Sequence, residues 1–489
     1  MIRVLMRWLD LSVIAIYLIA ITWFGARFRR SQKTLRDYFL GGYTAPWWAI
    51  ALSIVSAETS TLTVIGTPAL AFGGNFEFLQ VVLGYLLARV TISALFLPHY
   101  FRGEMYTAYE LMRRRFGERI RKITAGTFLI LRALAEGVRV FAISIIISIV
   151  LGTGEVSSIA VILCLTMFYT FEGGLTAVIW TDVVQMVLYV GGAVLSFFVI
   201  LGHISGGWQH VREVAGAAHK FQVFDFGFSL TSAFFAKPYS FWAGIIGGCF
   251  LTTASHGTEQ LMVQRLLAAR SERESRAALF SSWLVIFFQF ALFLFIGALL
   301  FVYYSDRSLP VPKPADRIYP DFIWRNLPVG AAGLIMAAIL AAGMSNLSAA
   351  LNALASTTIM DFYRPLVERR RPPRPETHFL GLARWATVAW GVILFSVGLV
   401  ARNWGSVLEA GLTIASILYG SLLGVFLLGL LTKRVQERAA IVAMIAGLLT
   451  MLYVKQFTQV AFTWYVLIGT SATFLAGIAA SFVLNETTD

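Results

Sequence analysis

Residues 53–63 read SIVSAETSTLT. Glu58 sits there among hydroxyl side chains, Ser53, Ser56, Thr59, Ser60 and Thr61 with Thr63 beyond, and with no basic neighbour in the stretch. Leu, Ile and Val run away from it on both sides. An ionisable side chain near the centre of a bilayer costs about 2.5–3.5 kcal/mol on insertion scales, so each one marks a functional position. Ser and Thr compete for backbone hydrogen bonds, and Gly66 and Pro68 follow within ten residues. The stretch predicts a helix interrupted inside the membrane. Carbonyls freed at such a break can face a cation, provided they line a cavity.

The wider composition supports a membrane setting. Of 489 residues, 58% are hydrophobic and 13% charged, against roughly 25% charged in a soluble protein. Mean hydropathy is +0.74. The net charge of +13 fits basic residues gathered in cytoplasmic loops better than a nucleic-acid partner. Cys164 and Cys249 both lie in apolar stretches and read as small core residues. The run from Leu9 to Ala26 follows Arg3 and Arg7 but is long, lacks an A-x-A site, and leads straight into Arg27, Arg29, Arg30 and Lys33. It reads as an uncleaved spanning helix.

Thirteen apolar segments are long enough to cross about 30 Å of hydrocarbon. They lie near 9–28, 46–72, 76–99, 124–152, 156–173, 177–202, 239–262, 278–304, 329–358, 380–402, 409–431, 437–455 and 461–484. Basic clusters follow the first, third, seventh, ninth and eleventh, including MRRRFGERIRK and ERRRPPRPETH. All therefore share one side, the cytoplasm by the positive-inside rule. The N-terminus is expected outside and the C-terminus, NETTD, inside. The longer outer connections, about 203–238 and 305–328, have room for short helices. No Walker motif, H-E-x-x-H or Cys/His metal spacing occurs, which argues against nucleotide-driven pumping and against an enzyme.

Six ionisable residues lie inside apolar segments: Glu58, Arg89, Arg132, Glu136, Arg139 and Asp182. Arg132, Glu136 and Arg139 follow i, i+4, i+7 spacing and share one helix face. Two arginines against one acid leave a surplus positive charge. One of them can grip a solute carboxylate, or Arg132 can reach the headgroups. In segment nine, Ala342, Ser345, Asn346 and Ala349 form a small, partly polar face. Such a face packs helices closely, and its oxygens can also coordinate Na⁺. Segment seven, GIIGGCFLTTASHGT (244–258), has the character of segment two and lies five spans later.

The stretches DYFLGGYTAPWWAIALSIVSAETSTLTVIGTPALAF, TAYELMRRRFGERIRK, GGLTAVIWTDVVQ, GTEQLMVQRLLAARS, LAAGMSNLSAALNALASTTIMDFY and GSLLGVFLLGLLTKR together resemble the sodium:solute symporter family over nearly the whole chain. The resemblance implies an all-α integral membrane protein of thirteen helices with a LeuT-type inverted five-helix repeat. Residues 1–489 then form a single membrane domain. It has an extra helix at 9–28, repeats at about 46–202 and 239–431, and two last helices within 437–484. It implies a Na⁺ site from the carbonyls of Ser56, Thr59 and Ala342, the Ser345 hydroxyl and the Asn346 side chain, where the family usually has Ser or Thr. Around segments two to six the chain is most similar to the sialic acid symporter branch. Some members of that branch bind a second Na⁺, which here maps onto Asp182, Ser345 and Ser348, with Ala349 replacing a hydroxyl. The same branch implies solute contacts at Ser60, Thr63, Phe78 and Arg139, while the polar residue expected on segment three is Val82. Glu58 differs from that branch, which is neutral there, whereas proline carriers have an acid; it can tune the sodium site, hold a proton, or pair with a basic residue such as Arg89 or Arg139.

The expected function is import of a small organic solute with Na⁺ as coupling ion, by alternating access in the plasma or inner membrane. A carboxylate-bearing solute fits Arg139. The alternative is a proton-coupled symporter that titrates Glu58 or Asp182. A channel and a membrane sensor lack the filter motif and the signalling domain they need.

Overall fold

In the computed structural model, residues 2–27, 43–102, 108–169, 174–363, 366–367 and 376–484 are described. Much of the basic clusters at 27–36 and 368–375, and the terminal NETTD, lies outside the described residues. The break expected at SIVSAETSTLT is present. Helix α1 (Ile2–Arg27) is followed by α2 (Trp47–Glu58) and α3 (Thr61–Gly73), and α2 and α3 meet at 62°. Thr59 leaves helical geometry at φ −86°, ψ 74°, and Ser60 is extended, so α3 begins afresh.

Next come α4 (Leu79–Tyr100), α5 (Ala108–Phe116), α6 (Glu118–Leu151), α7 (Glu155–Tyr169) and α8 (Gly174–Gly202). The longer connections at 203–238 and 305–328 do hold short helices: α9 (Gly207–Ala217), α10 (Ser232–Ala236) and, later, α14 (Ile318–Asn326). Segment seven is also interrupted. After a π turn at Ala243–Gly247 it runs as α11 (Gly248–Gly257), stops at Thr258 and Glu259, and resumes as α12 (Gln260–Leu267). Ser271 caps α13 (Glu272–Asp306), its hydroxyl accepting from Glu274 N–H at 3.2 Å. The rest are α15 (Ala331–Thr357), α16 (Glu376–Ala401), α17 (Val407–Leu431), α18 (Glu437–Phe457) and α19 (Tyr465–Val483).

Helix falls in each of the thirteen apolar segments. By length and composition, however, eight helices among the described residues can cross a membrane, or nine with the bent α2–α3 pair. The described apolar parts of α1, α7 and α16 are shorter (Trp8–Phe24, Glu155–Cys164, Trp385–Ala401), so the count of thirteen is not reached on that measure.

Two contacts set the frame around the breaks. Buried Asp10 on α1 accepts from the N–H groups of Gly330 (2.8 Å) and Gly333 (3.0 Å) at the start of α15, where helix N–H groups lack partners. On the other side α4 and α11 touch backbone to backbone. A Cβ on Gly84 would come 2.6 Å from the carbonyl oxygens of Gly244 and Ile245, and one on Gly248 would come 2.2 Å from that of Val81. Only glycine admits such an approach, which replaces a hydrophobic driving force with close packing. The connection at 203–238 is pinned over the bundle by Lys220, whose Nζ donates to the carbonyls of Phe72 (2.7 Å) and Gly74 (2.9 Å) at the end of α3.

Candidate functional site

Between the two breaks lies a cavity of about 830 Å³. It runs from Phe78, Phe290 and Leu408 at one end to Leu175, Gln264 and Arg265 at the other. At the first end Phe78 is buried against Tyr239 (ring centroids 5.6 Å apart) and Phe290 (5.2 Å), and Tyr239 O–H donates to Glu409 at 2.5 Å. Among the residues expected at the site, Glu58, Ser60, Thr63, Phe78, Arg139, Ser345, Asn346 and Ser348 line this cavity. Ser56, Thr59, Ala342 and Asp182 do not, and all four are buried.

The break leaves oxygens uncommitted. Thr59 N–H bonds back to Val55 O at 2.7 Å, and Thr63 and Val64 N–H both turn to Ser60 O. Among the described residues no backbone N–H reaches the carbonyl of Ser56 or Thr59. On α15 the Ser345 hydroxyl and the Asn346 amide make no hydrogen bond to a described residue, whereas Ser144 and Ser148 on α6 both bond back to their own helix. A Cβ on Gly343 would come 3.0 Å from Thr61 Oγ1, which puts α15 against the break. An oxygen-only set without a carboxylate suits a hard, singly charged cation. These residues therefore fit Na⁺. Gln289 on α13 steadies the break by donating to Thr59 Oγ1 at 2.8 Å.

The charged residues form three buried clusters. Glu58 accepts from Arg89 (2.9 Å) and His256 (3.1 Å), so its partner is Arg89 rather than Arg139. His256 ends α11, and the contact therefore joins the two interrupted segments. Asp182 accepts from Arg265 Nη2 (2.9 Å) and Ser53 Oγ (2.6 Å). A guanidinium already faces the acid that the second Na⁺ would need.

In the third cluster Glu136, fully buried, accepts from both Arg132 (3.0 Å) and Arg139. Arg132 also reaches Glu259 at 3.2 Å, and Tyr419 donates to Glu259. This corrects two expectations. Arg132 is buried in ion pairs and does not reach for headgroups, and Glu259 cancels the surplus positive charge on α6. The two arginines differ, however. Arg132 serves two carboxylates, whereas Arg139 bonds only Glu136, and its buried Nε has no partner. Arg139 is thus the cavity cation with donors to offer.

Sequence reading missed His256, Glu259, Arg265, Gln289 and Tyr419. The first three flank or occupy the second interruption, whose likeness to segment two was the available signal.

Among known proteins, the chain is 29% identical to the sodium/sialic acid symporter SiaT of Proteus mirabilis, over 96% of this chain and 94% of that one. It is 28% identical to sodium-coupled monocarboxylate transporter 2 of Mus musculus, over 86% of this chain and 67% of the relative. Of solved structures, the substrate-bound outward-open state of a Na⁺-coupled sialic acid symporter superposes with a TM-score of 0.80 at 28% identity, covering 98% of each chain. MHP1, a nucleobase-cation-symport-1 family transporter in a closed conformation, shares the fold with a TM-score of 0.52 at 14% identity, over 89% of this chain and 91% of that one. The sequence pattern of the sodium:solute symporter family matches residues 38–447. With that match, the LeuT-like helical fold and a helix broken at Thr59, the chain belongs to the sodium:solute symporter family of multi-pass membrane carriers, whose coupling ion is Na⁺.

Proposed function

We propose that this chain imports a small carboxylate-bearing solute with Na⁺, through the cavity between its two interrupted helices. The observation that carries the solute class is Arg139, which lines the cavity, keeps 16% of its side chain exposed and bonds only Glu136. A carboxylate can take its terminal Nη–H donors in bidentate fashion. Ser60 and Thr63 offer hydroxyls beside it, and Phe78 closes the cavity's end.

Ser56, Thr59, Ala342, Ser345 and Asn346 would hold the Na⁺. When bound, it supplies a charge that ties α15 to the break. The protein's part is to keep Ser60 and Thr63 oriented, through the break and the Gln289–Thr59 bond. Ion and solute then bind cooperatively, with a coupling of about 1–3 kcal/mol. One Na⁺ site is favoured over two, because Asp182 is matched by Arg265 and Ala349 brings no hydroxyl beside Ser345 and Ser348.

In the proposed topology the end near Gln264 and Arg265 is cytoplasmic and the N-terminus is outside, and the cavity serves an alternating-access cycle. The repeats are 46–202 and 239–431, with 9–28 and 437–484 outside them. Proton coupling through Glu58 or Asp182 is disfavoured, since each carboxylate is paired with a buried guanidinium.

The test is a thermal-shift screen of carboxylates on the detergent-purified protein, in NaCl and in choline chloride. A solute that stabilises only with Na⁺, and no longer binds Arg139→Ala, supports the reading. Equal stabilisation in both salts removes Na⁺ coupling, and unchanged binding by Arg139→Ala removes the carboxylate.

A further inference from the structure

Glu58 holds its two partners on one oxygen. Arg89 Nη2 (2.9 Å) and His256 Nε2 (3.1 Å) both bond Oε2. Oε1 bonds no described residue, yet it is not sealed in protein: the side chain keeps 13% exposure and lines the cavity. Arg89 is fully buried and His256 nearly so, so the carboxylate's direction is fixed from behind. His256 Nδ1 lies 2.8 Å from Ser255 Oγ, so the ring is held at both nitrogens. A carboxylate receiving a guanidinium and an imidazole N–H on one oxygen is ionised, and its other oxygen can only accept.

We infer that Glu58 Oε1 is a solute-recognition atom and that the solute carries a hydroxyl or amine donor in addition to its carboxylate. This rests on the assignment of the carboxylate to Arg139. The two anchors are complementary: Arg139 offers N–H donors, and Glu58 offers an acceptor on the same cavity. A carboxylate with a bare hydrocarbon tail leaves Oε1 to water. A 2-hydroxy or 2-amino carboxylate replaces that water with a charge-assisted hydrogen bond. Sites built to bond a substrate hydroxyl or amine discriminate against analogues that lack it. Because the Glu58 side chain keeps 13% exposure, the discrimination expected is about tenfold, below that of a sealed site.

The experiment uses the full chain in detergent with NaCl, titrated with propionate, lactate and alanine. These three-carbon carboxylates differ only in bearing hydrogen, hydroxyl or ammonium at carbon 2. Lactate or alanine binding about tenfold tighter than propionate supports the inference. Equal affinities, a preference for propionate, or no measurable binding by any of the three overturns it. In Glu58→Gln, with the solutes compared within the variant, the ratio falls towards one. An unchanged ratio in that variant overturns the assignment to Oε1. If Glu58→Gln does not fold, the wild-type ratio decides. The diol 1,2-propanediol separates the two anchors. If it binds as well as lactate, Arg139 loses its carboxylate role and the Glu58 anchor stands.

Discussion

Replacing Glu58 by Gln keeps the shape of the side chain and removes its charge. Arg89 then remains as a fully buried cation. Its other hydrogen bond is to Tyr85 O at 3.3 Å, and its Nε has no partner. At the observed 2.9 Å the Coulomb attraction is about 6 kcal/mol at an effective dielectric of roughly 20. Side-chain reorganisation and water recover part of this, so removing one partner of a buried pair costs about 3–5 kcal/mol. Removing both charges is different. Glu58→Gln with Arg89→Met leaves no uncompensated ion, and such neutral replacements fall near wild type or above it. The assay is equilibrium unfolding of wild type, both single variants and the double variant in mixed detergent micelles. The expected coupling between the two sites is about 2–3 kcal/mol or more. A double variant as unstable as Glu58→Gln, or a single variant within about 0.5 kcal/mol of wild type, would refute the reasoning.

Three further outcomes are expected. Asp316, in the connection before α14, is buried; Oδ2 accepts from Val407 N–H at 3.3 Å while Oδ1 has no partner, and burial pushes its carboxyl up to about 6. A folded-state value above the unfolded one means stability is present in acid and lost as pH rises through about 6, by about 3 kcal/mol in all; melting curves of Asp316→Asn at pH 4.5 and 7.5 will lack that loss, and an identical pH slope in both proteins contradicts it. Gly84→Ala drives a Cβ to within 2.6 Å of backbone oxygens of the π turn, costing about 3 kcal/mol, so folded yield on size exclusion drops, whereas Gly73→Ala, with nothing within 4 Å, serves as the neutral control. Gln289→Leu removes the donor to Thr59 and weakens Na⁺ binding by about threefold to tenfold, from a lost hydrogen bond of about 1 kcal/mol, read as the Na⁺ concentration that half-maximally raises the melting temperature.

The helix break was legible because its cause is local: Ser56, Thr59, Ser60 and Thr61 crowd together, and Gly66 and Pro68 follow. The apolar segments were legible for the same reason, since hydropathy is a property of neighbours. What decided the electrostatics was not local. Arg89 could be named as one of two partners for Glu58, but His256 lies 198 residues away and no periodicity points to it. Likewise the surplus charge read from Arg132, Glu136 and Arg139 was sound for an isolated helix. It vanished once folding brought Glu259, from the second break, against Arg132. The Na⁺ and solute residues came from resemblance, and the structure adds which of their oxygens and nitrogens are uncommitted.

The pairing of Glu58 with Arg89 also bears on how the chain is made. The two residues sit on consecutive apolar segments joined by the short turn Phe72-Gly73-Gly74-Asn75. Synthesised one after the other, the segments can enter the bilayer together as a hairpin, with the acid and the base already matched. An arginine presented alone at mid-membrane would cost about 2.5–3.5 kcal/mol on insertion. His256 is made much later and finds the pair in place. In Glu58→Gln the first consequence of the lost charge then falls on the ribosome-bound chain, as a hairpin that inserts less efficiently, before any carrier exists to be assayed.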